Sequence, residues 1–154
     1  MLSVGKKAID FKMKDKDGKE WSLKDFKTKF TVLYFYPKDD TPGCTIEAID
    51  FTKGMAELKK AGVSVVGISG GNDKTKEKFC KKHNLGVLLL SDTDFKVSGQ
   101  YGVYGEKSFM GRKYMGISRV TFVLDKGKKV IKVFEKVQPL GHAGEVLDFV
   151  KSKR

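Results

Sequence analysis

The side chains best suited to covalent chemistry in this sequence are two cysteines, Cys44 and Cys80. A thiolate is a nucleophile and a metal ligand, whereas a buried thiol is only a small hydrophobe. Two cysteines cannot build a four-cysteine zinc site or an iron–sulfur cluster, and they are too few for a disulfide-dense secreted scaffold. Two inert thiols or one redox pair remain. Cys44 closes the run Tyr36-Pro37-Lys38-Asp39-Asp40-Thr41-Pro42-Gly43-Cys44, between an apolar strand and an amphipathic helix. Its sulfur is expected among the unpaired N–H groups at the positive end of that helix, an environment that favours the thiolate. Thr41, three residues earlier, carries a hydroxyl that can accept from the thiol, donate to a bound oxygen, or cap the helix. Pro37 either shields the sulfur from water or simply ends the strand.

Arg119 stands out by composition. The chain has 31 Lys and Arg residues, but its arginines are only Arg112, Arg119 and Arg154, and Arg119 opens an apolar strand. A fixed, always charged fork of donors suits an anion, although an ordinary surface cation would look the same in sequence. Glu47, one turn into the helix after Cys44, can pair with a cation or complement the helix dipole. Cys80 sits beside Phe79, and His83 follows it at i+3. With Cys44 and His142 these residues would make a metal site, yet nothing in the sequence brings His142 to them, so no metal is expected.

These residues need a frame. Ile9, Phe11 and Met13 alternate with polar residues, a Lys16-Asp17-Gly18-Lys19 turn follows, and Glu20 to Leu23 returns the chain, which predicts an N-terminal β-hairpin with Ser22 able to cap a short helical turn. Thr31 to Tyr36 is apolar on both faces, as a strand covered above and below must be. Helical periodicity runs from Thr45 to Lys60, a second apolar strand from Val63 to Ile68, and a helix from Asp73 to His83. Val87 to Leu90 is the next strand, Phe95 to Tyr101 a short helix, and Val103 to Gly116, with three glycines and no clear period, a long surface loop. Val120 to Leu124 and Val130 to Val133 flank a turn at Asp125-Lys126-Gly127-Lys128 and form a hairpin, and Ala143 to Lys151 closes the chain as a helix. Strands alternating with helices imply an α/β sandwich with a mixed sheet. At 154 residues, one domain over 1–154 is expected.

A 40% hydrophobic content rules out a wholly disordered chain. Residues 1–11 carry lysines without an apolar core behind them, and the longest aromatic-aliphatic run, Val32 to Tyr36, is five residues. Neither a secretion signal nor a membrane span is expected, and a reducing cytoplasm is the default. A net charge of +12 raises nucleic-acid binding as a second class of function. The lysines are scattered in short pairs with acidic residues between them, and there is no aromatic RNA-binding signature, so only loose, salt-sensitive association is expected.

Pro37, Thr41 and Cys44 form Pro-x-x-x-Thr-x-x-Cys, which resembles the active-site motif of the peroxiredoxins. The longer Thr-Pro-Gly-Cys-Thr with Glu47, the segment Gly105-Glu106-Lys107-Ser108-Phe109-Met110-Gly111, and Arg119 at the next strand resemble the peroxiredoxin Q, or bacterioferritin comigratory protein, branch. The likeness covers nearly the whole chain. It implies a thioredoxin-like fold and a cofactor-free peroxidase acting on hydrogen peroxide and organic hydroperoxides. In that scheme Cys44 becomes a sulfenic acid, and Arg119 stabilises its thiolate and polarises the O–O bond. Many relatives place a second cysteine five residues after the first, but position 49 is Ile; Cys80 resembles the resolving cysteine of a second group, which implies an intramolecular Cys44–Cys80 disulfide reduced by thioredoxin or a similar dithiol, in a monomer. A one-cysteine peroxidase with Cys80 idle is the nearest alternative, and a basic thioredoxin-fold binding protein stands behind it. Cys-x-x-Cys is absent, because position 47 is Glu, so general disulfide exchange is disfavoured.

Overall fold

A computed structural model describes residues 1–153. Its centre is β3 (Phe30–Phe35), whose six residues are all buried because consecutive side chains feed opposite sides of one sheet. Phe30, Val32 and Tyr34 enter one apolar cluster, and Leu33 and Phe35 enter the other. β3 runs parallel to β4 (Val63–Ser69), β4 runs parallel to β5 (Leu88–Ser91), and β8 (Val120–Leu124) lies antiparallel on the other side of β3. With β1 (Lys12–Lys14), β2 (Glu20–Ser22) and β9 (Val130–Phe134), the sheet order is β2-β1-β5-β4-β3-β8-β9.

The helices α1 (Pro42–Lys60), α2 (Asp73–His83) and α4 (His142–Ser152) cover the face onto which Tyr34 points, and the short α3 (Lys96–Gln100) covers the other with the N-terminal segment. Phe51 of α1 stacks on Tyr34 at 4.6 Å between ring centroids. Such a pair contributes about 0.5–1.5 kcal/mol beyond its buried area and anchors the helix that carries Cys44. The mixed sheet between helices and the N-terminal β-hairpin match the expected architecture. Ser22 sits at the start of a 3-10 turn, Leu23–Asp25, and its backbone N–H donates to Asp25 Oδ2 at 2.7 Å.

One expected loop is a ribbon instead. Within 103–116 the chain forms β6 (Tyr104–Phe109) and β7 (Arg112–Ile117), paired only with each other around Met110 and Gly111, both at positive φ. Two successive left-handed residues make the tight turn that suits a twisted hairpin. Most of its side chains are in or near solvent, so it has no buried face to write an apolar alternation into the sequence. Smaller differences lie at element ends. α1 begins at Pro42, three residues before the periodicity starts, and Asn72 caps α2 by accepting from the Thr75 N–H at 3.0 Å.

Candidate active site

β3 ends at Phe35, Pro37 turns the chain, and Thr41 occupies the cap position of α1, so Cys44 is the third helical residue. Helix geometry leaves the first-turn N–H groups without intrahelical partners, and the dipole is positive there. Cys44 is 1% exposed. Arg119, the residue before β8, brings its guanidinium across from the neighbouring strand: Nη2 donates to Cys44 Sγ at 3.4 Å, and Nη1 donates to Glu47 Oε1 at 2.7 Å. One planar fork thus holds the sulfur and a carboxylate together on separate nitrogens of fixed geometry.

Gly43 makes room for this. A Cβ there would stand 2.9 Å from Arg119 Nη2, closer than any side chain tolerates. Glu47 is fully buried, and its Oε2 has no hydrogen-bond partner among the described residues. Burial pushes its carboxyl up to about 7, against the pull of Arg119. Arg119 itself is held more firmly charged: burial works against the cation, and Cys44 and Glu47 outweigh it.

Pro37 and Thr41 line one wall of a cleft of about 500 Å³ whose other wall includes Lys107, Tyr114, Met115 and Ile117 of the ribbon. The ribbon therefore shapes the approach to the site. Lys107 Nζ donates to the Ile117 carbonyl at 2.9 Å, and burial, then the nearby Arg119, makes its ammonium easier to deprotonate. The Thr41 hydroxyl departs from expectation. It donates to the Lys38 carbonyl at 2.9 Å, neither bonding the sulfur nor capping the helix, because the turn folds that carbonyl against it.

Cys80 lies in the third turn of α2, 8% exposed, in the same apolar cluster as Cys44. Both thiols are free. Cys80 opens on a different, smaller cleft of about 180 Å³ lined by Asp15, Lys16, Asp17 and residues 85–89. Burial pushes its thiol up, and Lys16 offsets part of that. The two histidines are committed elsewhere: His83 Nε2 meets Asp40 Oδ1 at 2.8 Å, and His142 bridges Glu145 and Thr121, each at 2.8 Å. Among the described residues no group of three or more His, Cys, Asp or Glu could hold a metal ion, and no helix is long and apolar enough to cross a membrane.

Sequence reasoning missed a buried polar cluster beside the site. Asp39 accepts from Tyr36 Oη at 2.6 Å and from Lys76 Nζ at 3.0 Å, and Lys76 is fully buried. A lysine on a polar helix carries no mark of this; only the packing of α2 against the ends of β3 and β4 reveals it.

A thiol held by an arginine at the head of a helix, on a mixed sheet covered on both faces, defines a thioredoxin-fold enzyme of thiol-based redox chemistry. The AhpC/TSA family profile matches residues 4–133, and the chain belongs to that family. It is 43% identical over 150 residues to Peroxiredoxin Bcp of Escherichia coli K12, covering 97% of this chain and 96% of that one. Peroxiredoxin Bcp of Bacillus subtilis is 40% identical over 150 residues, with the same two coverages, 97% and 96%. Among solved structures, the Xanthomonas campestris bacterioferritin comigratory protein, studied for its alkyl peroxide reduction activity, superposes with a TM-score of 0.91 at 32% identity over 100% of this chain and 99% of that one. The chain is a thiol-dependent peroxidase, an oxidoreductase of the peroxiredoxin group.

Proposed function

We propose that Cys44 is the attacking thiolate and Cys80 the resolving thiol, in a one-domain monomer of the cytoplasm that uses thioredoxin or a similar dithiol. The observation that carries this reading is the Arg119 fork, with one arm on Cys44 Sγ at 3.4 Å and the other on Glu47 at 2.7 Å. A guanidinium there donates to the sulfur and can polarise a peroxide oxygen arriving from the cleft lined by Pro37 and Thr41. Attack forms an S–O bond and breaks the O–O bond. The sulfur loses two electrons, the peroxide gains them, and the leaving oxygen takes up a proton as water or an alcohol. The apolar wall of Tyr114, Met115 and Ile117 supports alkyl hydroperoxides as substrates besides hydrogen peroxide.

In the second step the Cys80 sulfur displaces the sulfenic oxygen, an S–S bond replaces the S–O bond, and water leaves with the thiol proton. A disulfide needs the two Cα atoms within about 7 Å. Cys44 stands in the first turn of α1 and Cys80 in the third turn of α2, each held by its own helix, so on this reading the first turn of α1, the later turns of α2, or both unwind as the bond forms. One equivalent of peroxide followed by mass spectrometry tests the assignment. The expected product is two hydrogens lighter, with Cys44 and Cys80 peptides linked within one chain. A persistent Cys44 sulfenic acid with Cys80 unmodified would favour the one-cysteine alternative, and superimposable reduced and disulfide structures would overturn the unwinding.

A further inference from the structure

On the reading proposed above, the turn before α1 and the helix α2 rearrange to form the Cys44–Cys80 disulfide, and two adjacent aspartates tie them together. Asp39 Oδ2 accepts from Lys76 Nζ and Thr75 Oγ1, each at 3.0 Å, while Asp39 Oδ1 accepts from Tyr36 Oη at 2.6 Å. Lys76 Nζ also donates to Ser69 Oγ at 2.9 Å and to the Gly70 carbonyl at 2.8 Å. The next residue, Asp40, holds a positive φ of 58° and bonds the far end of α2 through Lys82 at 2.9 Å and His83 at 2.8 Å. Cys80 lies on α2 between these two attachments, and Cys44 lies four residues beyond Asp40.

A buried lysine–aspartate pair is a poor way to gain stability, because desolvation consumes most of the attraction and an apolar residue of similar volume often does as well. It is a good way to hold a discrete geometry, since a charge without its partner cannot stay buried. We infer that Lys76, acting through Asp39, is a positioning residue that keeps Pro37–Cys44 in the peroxide-attacking form and sets how long the Cys44 sulfenic acid waits for Cys80. The Asp40 attachments to Lys82 and His83, which are exposed and weaker, act in the same direction. The waiting time has a chemical consequence. A sulfenic acid that meets a second peroxide before Cys80 takes a second oxygen, becoming a sulfinic acid as that peroxide is reduced to water or an alcohol.

The inference rests on the disulfide reading, and its test separates the two. Rapid-quench mass spectrometry follows three species of Cys44 (sulfenic acid, disulfide and sulfinic acid) in the wild type, in Lys76→Met with Asp39→Asn, and in Lys82→Ala with His83→Ala. The first variant removes both buried charges at once; the second alters only groups at the surface end of α2. The expected result is a disulfide step about tenfold faster in the first variant and about threefold faster in the second, with sulfenic acid formation unchanged or slower. The peroxide concentration giving half sulfinic acid rises by the same factors. A merely structural role would slow both steps together or leave the partition unmoved, and either outcome overturns the inference. Hydrogen exchange over residues 39–44 and 73–83 reads the clamp without any disulfide: protection lost from both segments together supports it, and unchanged protection in the first variant overturns it. Loss of protection in variants of a wild type that makes no Cys44–Cys80 bond would overturn the resolving assignment alone.

Discussion

Cys44 and Cys80 are both buried, both free, and both placed on helices over the same face of the sheet, yet their surroundings differ in kind. Cys44 has a guanidinium arm at 3.4 Å, the first turn of a helix around it, and a cleft walled by Pro37 and Thr41 nearby. Cys80 sits in α2 beside a small cleft, with burial disfavouring its thiolate and Lys16, from the β1–β2 turn, then Lys76 offsetting part of this. On the proposed reading the reduced fold equips Cys44 for attack and keeps Cys80 quiet, and resolution waits on movement that separates the two steps in time.

The largest test of this contrast is to remove each sulfur. Cys44→Ser is expected to abolish peroxide consumption, whereas Cys80→Ser retains one rapid oxidation per chain and loses turnover with a dithiol reductant; equal losses in a stopped-flow assay would erase the distinction. Arg119→Lys keeps a charge but loses the rigid fork that sets sulfur and carboxylate on separate nitrogens. The rate of Cys44 oxidation is expected to fall about 10²-fold, on the scale of losing one preorganised donor.

Glu47 supplies a pH signature. Its folded value of about 7 lies above the ordinary 4.5, so its contribution to stability is complete below 4.5 and is lost as pH rises through about 7, by up to about 3 kcal/mol. Ionised, it also places a second negative charge beside Arg119 and shares the guanidinium with Cys44. Glu47→Gln keeps an acceptor for Nη1; it is expected to flatten the fall in melting temperature between those pH values and to remove an inflection near 7 from the rate of Cys44 oxidation. Persistence of both in the variant would assign them to another group. Gly43→Ala should cost about tenfold in the same rate, because the guanidinium pinned by Cys44 and Glu47 must give way to the new Cβ. Lys16→Gln is the smallest change: a disulfide step slower by about two- to threefold, with peroxide attack untouched.

The frame of this site was legible because burial writes itself into sequence. β3 is apolar at every position but Thr31 since both its faces are covered, and α1 and α2 carry the periodicity and end signals of helices. The β6–β7 ribbon was not legible, because side chains that are mostly in or near solvent leave no apolar alternation. The bond of the Thr41 hydroxyl to the Lys38 carbonyl was not legible, since which nearby acceptor wins is decided by a few tenths of an ångström. Lys76 was invisible: among scattered lysines nothing marks the one whose ammonium is enclosed by Asp39, Ser69 and Gly70.

By itself the sequence determined that a cysteine would stand at a strand-to-helix turn with a rare arginine available to it, because residue type and periodicity are local properties. Only the tertiary structure decided that Arg119 spans Cys44 and Glu47 with its two arms, that Cys80 opens on a separate cleft, and that a buried lysine ties the turn before Cys44 to the helix of Cys80. Those are meetings between residues tens of positions apart. Their distances follow from how the sheet and helices pack, and no spacing along the chain encodes them.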